Sequence, residues 1–308
     1  MHSNLVLRIL SALVLVPVVL GPIWFGRSVY EDYGIPLYPM LLALLGTGLA
    51  WEWGAMFKRT GSVNQLVIGM TAVLTAFMTE GNPAFCVWFI IFMTAVSYWI
   101  SKNIRFSLGL PYICLPILSL GYIYYVNESI SREIVLWLIF VVWATDVGGF
   151  VFGKTIGGPK LAPKISAKKT WAGLIGAIVS AMAVAYIFAL YLKAYDMLPA
   201  NHFMAKLVFS AGVLAVISQI GDFFESAIKR KLNLKDSSNL IPGHGGLFDR
   251  VDGLMFASVA TAHVLGQVIS FFRTPYGIVT FLAIFVLIIF GFYISFKLSD
   301  DIRAVGVK

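Results

Sequence analysis

Stretches of about 20 mostly apolar residues, the length a helix needs to cross the hydrocarbon of a bilayer, recur roughly ten times along this chain. They run approximately over Leu5–Phe25, Pro36–Phe57, Gln65–Thr79, Pro83–Ile100, Gly109–Val126, Glu133–Phe152, Trp171–Leu192, Phe203–Ile220, Val251–Phe272 and Gly277–Phe296. Lipid offers no partner to a backbone N–H or C=O, and a helix satisfies both within one segment. The pattern predicts an all-α fold, a polytopic transmembrane helical bundle with about 9–10 membrane helices. The third run is about 15 residues, short enough to be re-entrant or tilted, which leaves the count open by one or two. Composition agrees: 59% of the 308 residues are hydrophobic and 12% charged, with mean hydropathy +0.86, more apolar surface than one water-soluble core can cover. Leu5–Phe25 lacks a small-residue cleavage site followed by a soluble domain, so it is expected to stay as the first span rather than to be removed as a signal peptide.

Lys and Arg gather in alternate loops. With the N-terminus inside, the internal segments hold Lys58 and Arg59, Lys102 and Arg105, the lysines from Lys154 to Lys169, the cluster from Lys229 to Lys235, Arg250, and Lys297, Arg303 and Lys308. Counting Arg8, about 18 of the 23 Lys and Arg fall inside, which predicts an even number of spans with N-terminus and C-terminus cytoplasmic. The opposite loops hold Glu31, Asp32, Glu80, Glu128 and Asp196. The net charge of +8 therefore reads as a topology signal and a match for anionic head groups. Nucleic acid is not an expected partner. Cys86 and Cys114 lie inside apolar runs with no second ligand nearby, which indicates packing rather than a disulfide framework or a zinc site. No repeat or low-complexity linker divides the chain. Residues 1–308 are read as a single integral membrane domain, with N-terminal helices over approximately 1–130 and a catalytic half over 131–308.

Polar chemistry concentrates in two segments, Gly153–Thr170 and Gly221–Arg250. Two spans separate them, so antiparallel packing can bring both to one membrane face. Charge at a bilayer edge is costly to keep without a use, which makes function the default reading. Asp222, Ser226 and Lys229 or Arg230 are spaced to share one helix face, offering a carboxylate, a hydroxyl and a cation to one ligand. Asp249 and Asp252 form an i, i+3 pair at the start of the next span. Mg²⁺ takes one or two carboxylates plus waters and substrate phosphate oxygens, so one carboxylate from each helix would make a cross-helix metal site. The plainer alternative is that Asp222 and Asp249 pair with Lys229 and Arg250 as ion pairs. Between the helices lies Pro242-Gly243-His244-Gly245-Gly246, whose glycines allow close backbone approach and whose amides can cradle phosphate. His244 by itself is a turn residue and gains weight only from its neighbours.

The second segment sets Asp146, an acid in an otherwise apolar run, before Lys154, Lys160, Lys164, Lys168 and Lys169, an array suited to anions or to the positive-inside rule alone. It has no Walker A spacing. Glu52, between Trp51 and Trp53, is a further acid that looks buried, although tryptophans at an interface explain its neighbours. His202 and His263 have no partners at ligand spacing.

Ser226-Ala227-Ile228-Lys229-Arg230, then Lys235-Asp236, then Ile241-Pro242-Gly243-His244-Gly245-Gly246-Leu247-Phe248-Asp249-Arg250-Val251-Asp252 resembles the signature of the phosphatidate cytidylyltransferase (CDP-diacylglycerol synthase) family. Ser218-Gln219-Ile220-Gly221-Asp222, the block from Asp146 to Thr170 and Trp51-Glu52-Trp53 extend the likeness over most of the chain. It departs at Ala172, where many members carry a glutamate. The resemblance implies transfer of CMP from CTP to phosphatidic acid, giving CDP-diacylglycerol and pyrophosphate, with Mg²⁺ as cofactor and room for a second, monovalent or divalent, cation. It implies catalytic roles for Asp222, Ser226, Lys229 and Asp249, of which Asp222, Ser226 and Asp249 hold metal. Substrate contacts are implied for Asp146, Lys164, Ser166, Lys168, Lys169, Thr170, Arg230, Lys235, Asp236, His244, Gly245, Gly246, Arg250 and Asp252. The implied partners are CTP, phosphatidic acid and membrane lipid, with a homodimer allowed. The implied setting is the bacterial cytoplasmic (inner) membrane with the active site facing the cytoplasm. Two other readings stand beside it: a CTP-dependent lipid or polyprenol kinase, which would release CDP, and an anion or nucleotide transporter, which would be built from inverted repeats.

Overall fold

A computed structural model of the chain describes residues 2–126, 129–163, 165–197, 201–243 and 245–268. The expected run Gly277–Phe296 and the candidate residues Lys164 and His244 lie outside the described residues. Each of the first nine expected runs is occupied by a helix, the ninth as far as Val268, where the described residues end. In chain order these are α1 (His2–Tyr33), α2 (Leu37–Met56), α3 (Val63–Met78), α4 (Pro83–Ser101), the short α5 (Ile104–Ser107), α6 (Gly109–Tyr125), α7 (Ser131–Thr155), α8 (Trp171–Ala194), α9 (Asn201–Lys231) and α10 (Phe248–Val268). Among the described residues, six segments are long and apolar enough to cross a membrane: Leu10–Tyr33, α4, Ile104–Tyr125, α7, α8 and Phe203–Lys231. With 16 residues, α3 is shorter than a full span, as its sequence indicated.

Two elements differ from the sequence expectation. The loop between α7 and α8 contains an antiparallel hairpin, β1 (Lys160–Ala162) against β2 (Ser166–Thr170), with Lys160 opposite Thr170. Four residues, Ile104 to Ser107, also close into α5, capped by the Asn103 side chain, which accepts from Phe106 N at 3.2 Å. Segments this short carry no periodicity to read.

Long apolar helices have no hydrophobic drive to meet in lipid, so they associate where small residues let their backbones approach. On α8, Ala177, Ala181, Ala185 and Ala189 recur every fourth residue and all have zero exposure, forming one continuous buried stripe. Glycines extend it towards the hairpin. A Cβ on Gly176 would lie 2.3 Å from Phe152 Cβ, and one on Gly148 would lie 2.3 Å from Ser180 Oγ and 2.8 Å from Gly176 O. This seam runs α7 and α8 antiparallel at close range and delivers β2 to the end of α9. At the centre, α6 is buried from Gly109 to Tyr124, apolar on all sides as a helix enclosed by other helices must be.

The same antiparallel arithmetic sets the functional face. Gly54 abuts Gln65, Gly109 abuts Trp53, Gly153 abuts Thr170, and Gly221 abuts Asp252. The C-terminal ends of α2, α7 and α9 therefore meet the N-terminal ends of α3, α6, α8 and α10 at one end of the bundle. Its loops carry Lys58, Arg59, Lys102, Arg105 and the hairpin lysines, the segments that alternate charge assigned to one face. With 31 residues, α9 is about 46 Å long at 1.5 Å per residue, more than the roughly 30 Å of hydrocarbon. Its charged residues, Asp222 onward, fall in its last ten residues, so the excess length can carry them past the apolar layer.

Gly176→Ala should force the α7/α8 seam apart at a cost of about 1–3 kcal/mol. The expected result is a lower thermal midpoint for the detergent-solubilised protein, without a matching loss in Ile175→Ala, whose side chain is exposed.

Candidate active site

Beneath the charged face lies an aromatic layer that fixes its floor. Trp53 of α2 donates from Nε1 to Phe106 O at 2.8 Å, and its ring lies 5.8 Å from Tyr112 and 5.9 Å from Phe248. Tyr112 stacks on Phe248 at 5.7 Å and meets Phe224 edge-on at 5.3 Å. Such rings are rigid and well packed, so the turns that begin α10 and end α9 have little freedom to shift.

On this floor the structure brings together most of the acids and bases that the sequence singled out. The Lys229 ammonium lies between two carboxylates, Glu225 one turn earlier on α9 at 2.6 Å and Asp249 in the first turn of α10. The other oxygen of Asp249, Oδ2, accepts from Ser237 N at 3.1 Å and Gly246 N at 2.9 Å, and lies 3.1 Å from Ser237 Oγ. Gly245 holds φ at +85°, a conformation that favours glycine, which turns the Gly246 amide toward that carboxylate. A Cβ on Gly246 would lie 1.8 Å from Ser237 Oγ, so only a hydrogen fits there.

One turn before Glu225, Asp222 accepts from Ser226 Oγ at 3.3 Å and pairs through its second oxygen with Lys169 of β2. The Lys169 ammonium also sits 4.7 Å over the Phe223 ring, a cation–π contact that steadies it. Asp252 lies within electrostatic reach of Asp222, Glu225 and Asp146, and Asp146 in turn faces Lys169 and Arg250. The ion-pair alternative is thus half realised: Asp249 does pair with Lys229, whereas Asp222 pairs with Lys169.

Other candidates are placed differently. Thr170 is buried as the cap of α8, accepting from Gly173 N at 3.1 Å, and Arg230 reaches Leu234 O at 3.1 Å. Ser166 opens β2 opposite Ala162. Lys168, Lys235, Asp236 and Arg250 are solvent-facing. Four residues that the sequence reading left without a role enter the site. Glu225 shares Lys229, Ser237 contacts Asp249, and Glu52 accepts from Ser237 Oγ at 3.0 Å. Tyr112 points a buried hydroxyl towards Glu225, Asp252 and Asp222, with no hydrogen-bond partner among the described residues. Only Glu52 carried a signal, a lone acid in an apolar run.

The donor chemistry suits a hard cation that leaves coordination positions for substrate. Among the described residues no group of three or more His, Cys, Asp and Glu is arranged to hold an ion alone. Mg²⁺ requires no such cage, since it is bound by one or two carboxylates with waters and phosphate oxygens. Asp222 with its adjacent Ser226 hydroxyl meets that description, and a lysine ammonium already balances the charge on each of Asp222 and Asp249.

Comparison with known proteins finds relatives over most of the chain. The model of the cytidylyltransferase family matches residues 6–269. A phosphatidate cytidylyltransferase of Brucella suis biovar 1 is 31% identical over 274 residues, covering 87% of this chain and 95% of that one. One from Rickettsia bellii is 32% identical over 260 residues, covering 83% and 88%. A third, from Rickettsia typhi, is 31% identical over 260 residues, covering 83% and 90%.

The two lysines should respond differently to truncation. Lys229→Ala strands two carboxylates, and removing one partner of a buried pair costs about 3–5 kcal/mol. Lys169 and Asp222 are more exposed, with side-chain exposures of 20% and 28%, so Lys169→Ala should cost about 1 kcal/mol or less of stability. Thermal unfolding and turnover measured on both variants should show a destabilised Lys229→Ala protein and a stable but much less active Lys169→Ala protein.

Proposed function

The chain belongs to the cytidylyltransferase family, and on that premise we propose how its charged face transfers CMP from CTP to phosphatidic acid, giving CDP-diacylglycerol and pyrophosphate. The observation that carries the reading is the convergence of Asp222, Lys169, Lys229 and Asp249 from β2, α9 and α10 on one end of an apolar bundle. A lipid phosphate in the leaflet and a nucleotide from the water can both reach that level.

The chemistry asks little covalent work of the protein. A phosphate oxygen of phosphatidic acid is already an anionic nucleophile. It forms a bond to the α-phosphorus of CTP as the bond from that phosphorus to the bridging oxygen breaks, and pyrophosphate leaves with the electron pair. No serine or cysteine intermediate is required. What the protein must provide is in-line placement of two anions and neutralisation of the charge that grows on the phosphoryl oxygens and the leaving group.

Lys229 and Lys169 supply fixed positive charge beside the acids, pre-set because each ammonium is held by a carboxylate. Lys168, Arg230, Lys235 and Arg250 are further cations at the rim, suited to the outer phosphates of the triphosphate or to the lipid head group. The Gly245–Gly246 turn brings backbone close enough to line the phosphates. Asp222 and Asp249, with Ser226, would hold Mg²⁺, which when bound supplies Lewis-acid polarisation of the α-phosphate. The acyl chains of both lipid substrate and product stay in the bilayer. The cation-rich end of the bundle faces the cytoplasm of a bacterial cell in this reading, in line with the positive-inside rule.

Purified protein incubated with labelled CTP, phosphatidic acid and Mg²⁺ should form CDP-diacylglycerol and pyrophosphate in equal amounts. Release of CDP would instead favour the kinase reading. Chelation with EDTA should stop turnover, and added Mg²⁺ should restore it. Asp249→Asn should reduce turnover by about 100-fold or more, the scale of losing a preorganised charge contact, at unchanged expression, whereas full activity in that variant would refute the metal assignment.

A further inference from the structure

Glu52 sits on α2, at the far end of the sequence from the charged motif, and has zero exposure. Both of its oxygens are occupied from across the bundle. Oε1 accepts from Ser238 Oγ at 2.5 Å and Leu247 N at 2.6 Å, and Oε2 accepts from Ser237 Oγ at 3.0 Å and Phe248 N at 2.8 Å. Phe248 opens α10, so this carboxylate sits where the free N–H groups and the positive end of the helix dipole favour an anion. The surroundings leave room for it by omitting side chains. A Cβ on Gly246 would lie 2.7 Å from Glu52 Oε1, and one on Gly48, a turn earlier on α2, would lie 2.8 Å from Leu247 Cδ2.

The contact with Ser237 gives this cap a consequence beyond packing. The Ser237 hydroxyl lies 3.0 Å from Glu52 Oε2 and 3.1 Å from Asp249 Oδ2, while the Ser237 amide donates to Asp249. Glu52 thus holds both neighbours of Asp249, the 237–238 turn on one side and the first turn of α10 on the other. We infer that Glu52 is a positioning residue for cytidylyl transfer, a buried anion that locks Asp249 and the Gly245–Gly246 turn into register with Lys229. The inference rests on the function proposed above and adds to it a control exerted from the N-terminal helices.

The geometry states what replacement does. Leu247 N and Phe248 N address different oxygens and cannot turn round, so Glu52→Gln necessarily sets an amide NH₂ against one backbone N–H. Serine hydroxyls can rotate to accept; backbone amides cannot. The start of α10 must then shift, and catalysis is sensitive to displacements of about 1 Å.

The test is steady-state kinetics on purified Glu52→Gln, normalised to the folded fraction measured by gel filtration and circular dichroism. The expected result is kcat at least about tenfold lower with KM for phosphatidic acid within about threefold of wild type, because Lys169 on β2 and Lys229 on α9 lie outside the elements that Glu52 holds. Wild-type kcat per folded molecule overturns the inference, as does a rise in KM with kcat preserved. Should Glu52→Gln fail to fold, Ser238→Ala decides. It removes one of the four donors and spares both backbone bonds, and should lower kcat about threefold or more per folded molecule, whereas an unchanged kcat overturns the inference. Absence of CDP-diacylglycerol synthesis by the wild-type protein would reject the proposed function instead, whichever way the variants behave.

Discussion

The ammonium of Lys229, shared between Glu225 on α9 and Asp249 on α10, ties the two helices together where they leave the apolar layer. Two carboxylates this close would repel each other and would be costly to bury without a counter-charge. With the lysine between them they form a rigid acid–base–acid unit. Asp249 then spends its second oxygen on Ser237 and Gly246, and those groups lead to Glu52 on α2. A chain of charge-assisted bonds therefore runs from the last third of the sequence back to its second helix. The remaining acids, Asp222, Asp252 and Asp146, lie close to one another beside this unit, with Lys169 of the hairpin paired to Asp222 and facing Asp146.

Rigidity at that face depends on packing that the bilayer cannot drive. Apolar side chains gain nothing by leaving lipid for one another, so the bundle relies on close backbone approach and on a few polar anchors. The alanine stripe of α8 and the glycines of α7 provide the approach, and their antiparallel seam fixes where β2 and Lys169 emerge. The aromatic layer of Trp53, Tyr112, Phe224 and Phe248 provides the floor. Nucleotidyl transfer between two anions suits such a platform. Its main demand is placement of charge, and charge that is already held by partners needs little reorganisation when substrate arrives.

How much of this could be read beforehand varies by element. The nine apolar runs became helices because length and hydropathy alone decide that a segment is helical in lipid, and the loops rich in lysine and arginine do share one end of the bundle. The β1–β2 hairpin and α5 were not legible, being set by local turns of a few residues within segments that read only as polar. Asp222, Ser226, Lys229 and Asp249 stood out by their helical spacing and by a family resemblance. Their pairings did not. Lys229 and Asp222 share a helix face, yet Lys229 bonds Glu225 and Asp249 while Asp222 bonds Lys169, more than fifty positions away. That Thr170 caps α8 was not legible either, because the bond to Gly173 N depends on where β2 ends.

By itself the sequence determined that the chain is a polytopic helical membrane protein, where its apolar helices lie, and in which short stretches its charge gathers. Each of these follows from local composition, because lipid imposes the same requirement on every residue it touches. The tertiary structure decided which carboxylate meets which cation, and that a glutamate on α2 caps α10 and braces the turn beside Asp249. Such contacts join residues nearly two hundred positions apart. They exist only once helix packing has brought the ends of α2, α9 and α10 together, and nothing in the local pattern encodes that distance.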